Sequence, residues 1–188
     1  MYIVKSFDNE MVYEYEYDTL SHAEEQYNWE KSAELWLCEN GKVMLIREKG
    51  ETHTTPEKLV ELAKEAMMRA YAPYSGFYVG AALLCADGTV YQGCNIENAA
   101  YGPTNCAERT AFFKAVYDGH RDFTAIAVCG GKEGVITGSF PPCGVCRQVM
   151  REFCRDDFVI YMVDKDGYEA HTLAEILPFS FSASEHMA

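Results

Sequence analysis

The sequence predicts an α/β fold, with a sheet covered by helices on both faces and a small α+β module ahead of it. Three observations lead there. Strand-like and helix-like segments alternate from residue 56 onward, as expected for helices layered on a sheet. A polar stretch at 49–56, KGETHTTP, separates apolar segments and marks a boundary. Ahead of it, short alternating segments surround turn signals. The expected division is 1–52 for the module and 53–188 for the main domain.

In the first part, Tyr2 to Phe7 and Met11 to Tyr17 alternate like strands, with Asp8-Asn9 as a turn. Ser21 to Lys31 predicts a short helix. Ala33 to Cys38 and Lys42 to Glu48 flank Glu39-Asn40-Gly41, a hairpin signal because Asn-Gly tolerates positive φ at both positions. About fifty residues bury little surface on their own.

Beyond the boundary, Thr55 reads as a helix cap with Pro56 at the first helical position. Leu59, Leu62, Ala63, Ala66 and Met67 follow at helical spacing, and the helix should stop before Pro73. Phe77 to Cys85 and Val90 to Gly93 read as strands joined through Asp87-Gly88. Cys106 to Tyr117 reads as a helix, Thr124 to Cys129 as a buried strand and Gly144 to Phe153 as a helix. Phe158 to Val163 is another strand, and Leu173 to Leu177 a short helix before Pro178.

Composition narrows the function. The chain has 188 residues, with Lys+Arg 16 against Asp+Glu 29 and a net charge of −13. Binding to nucleic-acid backbone or an anionic membrane rests on clustered Lys and Arg, so neither partner is expected. No apolar run is long enough to span a bilayer, and the N-terminus lacks the pattern of a secretory signal. The expected location is the cytoplasm, where thiols stay reduced. The eight cysteines therefore suggest metal binding or catalysis wherever they cluster.

They cluster at two predicted helix starts, Cys106-Ala107-Glu108 and Pro142-Cys143-Gly144-Val145-Cys146. Two thiolates of a Cys-x-x-Cys at a helix start sit within one turn, and the unpaired N–H groups there favour the thiolate. Cys106 from the other start makes three protein ligands, and catalytic zinc keeps its remaining position open for water. Arg109 could offset part of the charge of three thiolates on one zinc ion. Glu108, two residues past a ligand, is placed to move protons without binding the metal. Other readings stay open here. The Cys-x-x-Cys could be a redox pair, or Cys94, Cys129 or Cys154 could close a structural zinc site. With Cys38 and Cys85, those three also suit burial as small apolar side chains.

A three-ligand site, a non-ligand Glu and a following Pro-Cys-x-x-Cys is a pattern found in zinc deaminases. From Pro56 onward the chain closely resembles the small cytidine deaminases. The resemblance rests on Ala72-Pro73-Tyr74-Ser75-Gly76-Phe77, Val79-Gly80-Ala81-Ala82-Leu83, the segment Gly93 to Tyr101, Asn105 to Ala111, and Pro142 to Gln148. It implies a three-layer α/β/α fold with a mixed sheet, a homotetramer with shared active sites, and one zinc per subunit. It also implies hydrolysis of free cytidine or 2′-deoxycytidine to the uridine and ammonia. Cys106, Cys143 and Cys146 match the zinc ligands, and Glu108 the proton shuttle. Asn95 and Glu97 match the sugar-binding pair, Phe77 the aromatic beside the base, and the Ala107 backbone a partner of the pyrimidine. Tyr101 and Phe181 look like residues given to a neighbouring subunit's site. Arg147 and Gln148 could be surface residues or could support the zinc loop. Residues 1–52 are additional to the compact members and suggest no role. Deamination of another aminated heterocycle, editing of cytosine in RNA or DNA, and a non-enzymatic zinc module are the competing functions.

Overall fold

A computed structural model describes residues 1–8, 11–19, 21, 23, 33–39, 42–49 and 54–182. The chain divides into two units, Met1–His53 and Thr54–Ala188. In the first, strands β1 (Tyr2–Asp8), β2 (Met11–Tyr17), β3 (Ala33–Glu39) and β4 (Lys42–Lys49) form an antiparallel sheet of order β2-β1-β3-β4. The register pairs Tyr2 with Tyr17 and Asp8 with Met11, as a tight hairpin requires. Val4 and Ala23 are buried here, with Tyr2 and Tyr17 packed against them. The expected Asn9 and Asn40-Gly41 turn residues lie outside the described residues. So does the expected Ser21 to Lys31 helix, apart from Ser21 and Ala23.

The second unit carries a mixed sheet of order β6-β5-β7-β8-β9. Its strands are β5 (Phe77–Cys85), β6 (Val90–Cys94), β7 (Phe123–Lys132), β8 (Val159–Val163) and β9 (Tyr168–Thr172). Only β7 and β8 pair in parallel; the other neighbours are antiparallel. Helix α1 (Pro56–Met67) is capped by Thr55, whose hydroxyl accepts from the Lys58 N–H at 3.3 Å. It buries Leu59, Val60, Ala63 and Met67 on Ala82, Ala125, Ala127 and Cys129. The opposite face of the same strands, with Val79, Ala81, Leu83, Ile126 and Val128, lies in a core shared with helices α2 (Ala107–Tyr117) and α3 (Gly144–Phe153). The alternation of β5 thus feeds two apolar layers, and the three-layer α/β/α arrangement follows. Phe112 of α2 is fully buried among Phe123, Phe153 and Phe158. Among the described residues, no helix is long and apolar enough to cross a membrane.

Two glycines set how closely the helices approach. A Cβ on Gly80 would lie 2.1 Å from the Ala63 carbonyl of α1. One on Gly93 would lie 2.3 Å from the Ala107 carbonyl and 2.5 Å from the Ala111 nitrogen of α2. Both clashes are with backbone, which cannot swing aside. Gly93→Ala should therefore lift the start of α2 and destabilise the fold by about 3 kcal/mol, read as a lower urea midpoint. An unchanged midpoint would show that the helix yields without cost.

The alternating pattern missed β9. Its sequence, YEAHT, is polar, and the strand lies at a sheet edge with little burial. The Asp164-Lys165-Asp166-Gly167 turn ahead of it was a usable signal, since the Asp164 carboxylate accepts from the Asp166 N–H at 2.7 Å and the Gly167 N–H at 2.8 Å. The last helix, α4 (Leu173–Ile176), starts at a capping box between Thr172 and Glu175.

Candidate active site

Two helix starts meet through their cysteines. Cys106 is the N-cap of α2 and Cys143 that of α3, and neither sulfur serves as a capping acceptor. Cys146, one turn into α3, is buried. The three sulfurs lie within 4.8 Å of one another, with Cys106 to Cys143 at 3.9 Å and Cys143 to Cys146 at 3.5 Å. Tetrahedral zinc with sulfur at about 2.3 Å places its ligand sulfurs about 3.8 Å apart, so the donor set fits that ion. No fourth side-chain donor joins this group among the described residues. The alternatives for a closed site are elsewhere. Cys94 donates to the Arg69 carbonyl at 3.2 Å, Cys129 is buried beside Met67, and Cys154 is buried in the core.

The electrostatics follow from burial and from Arg109. In the protein alone, a hydrogen bond from the Cys146 thiol and the nearby Arg109 guanidinium bring the Cys106 thiol down to about 5. Cys146 is pushed up in turn, since it keeps the proton beside a thiolate. Arg109 Nη2 donates to Cys106 Sγ at 3.4 Å and to the Thr104 carbonyl at 3.3 Å. Arg109 thus supplies positive charge at the sulfur cluster. Glu108, in the first turn of α2, is only 3% exposed. Burial pushes its carboxyl up to about 7, with the charge on Cys106 adding to the effect. A cation held by the sulfurs would act in the opposite direction.

The backbone of Ile96 pairs with that of Asn105, directly ahead of Cys106, through two hydrogen bonds of 2.9 Å, which ties the segment of Asn95 and Glu97 to the start of α2. Asn95 is buried after β6. Its carbonyl oxygen accepts from the Val79 N–H and its amide donates to the Phe77 carbonyl, both at 2.8 Å. Each bond uses part of a carboxamide that has two donors and two lone pairs. Glu97 Oε2 accepts from the Tyr74 N–H at 2.8 Å and the Ser75 N–H at 3.2 Å, and Oε1 accepts from the Ser75 hydroxyl. Phe77, 44% exposed, stands 6.4 Å from Phe140 between ring centroids. Ala107 is fully buried. Tyr101 is 73% exposed, adopts φ 56° and meets Tyr74 edge to face at 6.1 Å. Phe181 is 56% exposed, and its carbonyl accepts from Gln148 at 3.0 Å.

Arg147, left between two roles by the sequence, bonds the Pro142 carbonyl and the Ile176 carbonyl, each at 2.7 Å. It ties the Cys143 loop to the end of α4. Phe140 was missed because it sits in a glycine- and proline-rich stretch with no periodicity. Ser75 was seen only as part of a motif.

Cys85, Asp87 and His120 also bring three donor atoms within 4.8 Å. However, His120 Nδ1 meets the Tyr91 hydroxyl and Nε2 meets Asp87, each at 3.0 Å, and burial pushes the Cys85 thiol up to about 12. A hydrogen-bonded chain accounts for this group.

Residues 53–162 match the cytidine and deoxycytidylate deaminase zinc-binding region. Among similar proteins, the cytidine deaminase of Sporosarcina psychrophila is 54% identical over 69% of this chain and 93% of its own length. That of Halalkalibacterium halodurans is 49% identical over 69% of this chain and 96% of its own. A crystal structure of cytidine deaminase from Burkholderia pseudomallei is 45% identical and superposes with a TM-score of 0.63, covering 68% of this chain and 99% of that one. The matched span holds both helix starts that carry the three sulfurs and Glu108, and with nearly the full length of such relatives covered, this chain belongs to the cytidine deaminase family of hydrolytic enzymes.

Proposed function

We propose that this enzyme deaminates free cytidine and 2′-deoxycytidine hydrolytically, giving the uridine nucleoside and ammonia, in pyrimidine salvage. The observation that carries the reading is the meeting of three sulfurs with a buried carboxylate at two helix starts. Cys106, Cys143 and Cys146 would hold one zinc ion per subunit. Bound there, zinc supplies the Lewis acidity that makes water nucleophilic near neutral pH.

The chain's own residues do the rest. The Glu108 carboxylate takes a proton from the attacking water and delivers it to the ring nitrogen. As the C4–O bond forms, the second proton of that oxygen passes to Glu108, which gives it to the amine as the C4–N bond breaks and ammonia leaves. A carboxyl beside the reacting atoms can both take up and release a proton, as the two transfers require. Arg109 offsets part of the charge of the three thiolates. Phe77 flanks the base, and the Ala107 backbone bonds it. Asn95 and Glu97 take the sugar hydroxyls. Asn95 keeps a second amide hydrogen for this after bonding Phe77.

Tyr101 and Phe181, both exposed, belong in this reading to the site of a neighbouring subunit in a homotetramer. The division of labour follows the two units, with catalysis in residues 53–188. The −13 charge favours a free nucleoside over nucleic acid, and a cytoplasmic location fits reduced cysteines.

The test is to incubate zinc-loaded protein with each nucleoside, following the cytidine absorbance band and released ammonia, with light scattering for the assembly. Equimolar ammonia and loss of the band with both substrates, from a particle of four chains, is the expected result. Zinc-replete, folded protein that releases no ammonia from either nucleoside would overturn the reading.

A further inference from the structure

Glu97 is partly exposed, yet its carboxylate is bonded at both oxygens. Oε2 accepts from the backbone N–H groups of Tyr74 and Ser75, at 2.8 and 3.2 Å, and Oε1 accepts from the Ser75 hydroxyl. That hydroxyl is itself aligned. Its oxygen accepts from the Phe77 N–H at 2.9 Å, which leaves its hydrogen to point at Glu97. A single small side chain thus connects the backbone of Phe77 with the carboxylate of Glu97. The turn that presents it is fixed from several sides. Lys132 donates to the Ser75 carbonyl, the Glu133 N–H donates to the Gly76 carbonyl at 2.7 Å, and the Gly76 N–H donates to the Ala72 carbonyl at 3.0 Å. Gly76 sits at φ 64°, where a side chain is strained. From the other side, the Glu97 N–H donates to the Tyr71 carbonyl at 2.8 Å.

We infer that Ser75 is a positioning residue for sugar recognition, which orients Glu97 through its hydroxyl and thereby sets the selectivity for nucleosides that carry sugar hydroxyls. A carboxylate has about four acceptor positions, and the three donors described here take three of them. The remaining position, on Oε1, has a fixed direction. A carboxylate held in this way strongly prefers a ligand with a hydroxyl in that direction, because a ligand without one leaves the acceptor unpaired. The Ser75 hydrogen bond also holds the Glu97 carboxyl below its ordinary range, so it stays an acceptor. Without the hydroxyl, Oε1 loses its only described protein donor, and the carboxylate can rotate about the two backbone bonds to Oε2. The inference rests on Glu97 being a sugar-binding residue.

The experiment measures kcat/KM for cytidine and for 2′,3′-dideoxycytidine in zinc-replete wild type, Ser75→Ala, Ser75→Thr, Glu97→Gln and the Ser75→Ala/Glu97→Gln double variant. Wild type should prefer cytidine. Ser75→Ala should lose tenfold or more of that preference, mostly through a higher KM for cytidine, with dideoxycytidine changed by no more than about threefold. Ser75→Thr should restore the preference. The double variant should be no worse than Glu97→Gln alone, as expected for two residues acting in series. If Glu97→Gln removes the preference and Ser75→Ala keeps it, Ser75 has no positioning role although Glu97 binds the sugar. If Glu97→Gln keeps the preference, the sugar-binding reading of Glu97 fails and the inference fails with it. Equal losses on both substrates in Ser75→Ala, or a Thr variant as poor as the Ala one, would reduce Ser75 to a structural turn residue.

Discussion

Glu108→Gln should keep the fold and its metal but lose turnover by about 10²–10⁴-fold. Glutamine has nearly the shape of glutamate, so it fits the buried position in the first turn of α2. What it cannot do is accept and release a proton at the pH where the reaction runs. The glutamate can, because its carboxyl ionises, and in the protein alone burial already raises it above the ordinary carboxylate range. The loss should fall on kcat, since the carboxylate acts on protons that move only during reaction. The checks are steady-state kinetics on cytidine, bound zinc per chain and the thermal midpoint. Turnover within tenfold of wild type in a metal-replete variant would remove Glu108 from the chemistry.

The second large effect is expected at Cys146. Its sulfur is buried in the core while Cys143 is exposed, so Cys146→Ser replaces a sheltered thiolate with a hydroxyl that is a poor zinc ligand. Changing a partner outside the ligand set of a metal site costs about 10–100-fold in affinity. Losing a ligand itself should cost more than about 100-fold, with turnover lost in proportion to bound metal. Competition against a chromogenic chelator measures this directly. Serine differs from cysteine by one atom, so the fold should survive, and native helix content by circular dichroism checks that. A variant that binds zinc as tightly as wild type would place the metal elsewhere.

The sequence brought out the candidate site because the side chains that compose it are close in the chain. Cys106 and Glu108 share one helix start, Cys143 and Cys146 another, and spacing alone says which side chains share a turn. The apolar run of β5 and the Thr55-Pro56 cap were equally readable, because such runs and caps involve neighbours in the chain. Contacts between distant segments were not. Nothing in the spacing says that Arg147 reaches the Ile176 carbonyl, or that Phe140 stands beside Phe77. The Ser75 hydroxyl meets Glu97 across 22 positions of sequence, where the paired backbone of Tyr71 and Asn95–Glu97 helps to bring the two segments together. Edge strand β9 escaped for another reason. Its polar residues satisfy the ladder without the apolar alternation that marks a buried strand. Tyr168 within it bonds Glu57 of α1 at 2.7 Å, a contact across 111 positions.

The most direct test is a zinc titration of metal-free protein, following cytidine turnover and bound metal together. Activity that is negligible at the start, rises linearly and stops at one zinc per chain would establish that a single three-sulfur centre runs the reaction. Full activity without metal, or one zinc bound per chain with no turnover of cytidine, would contradict it.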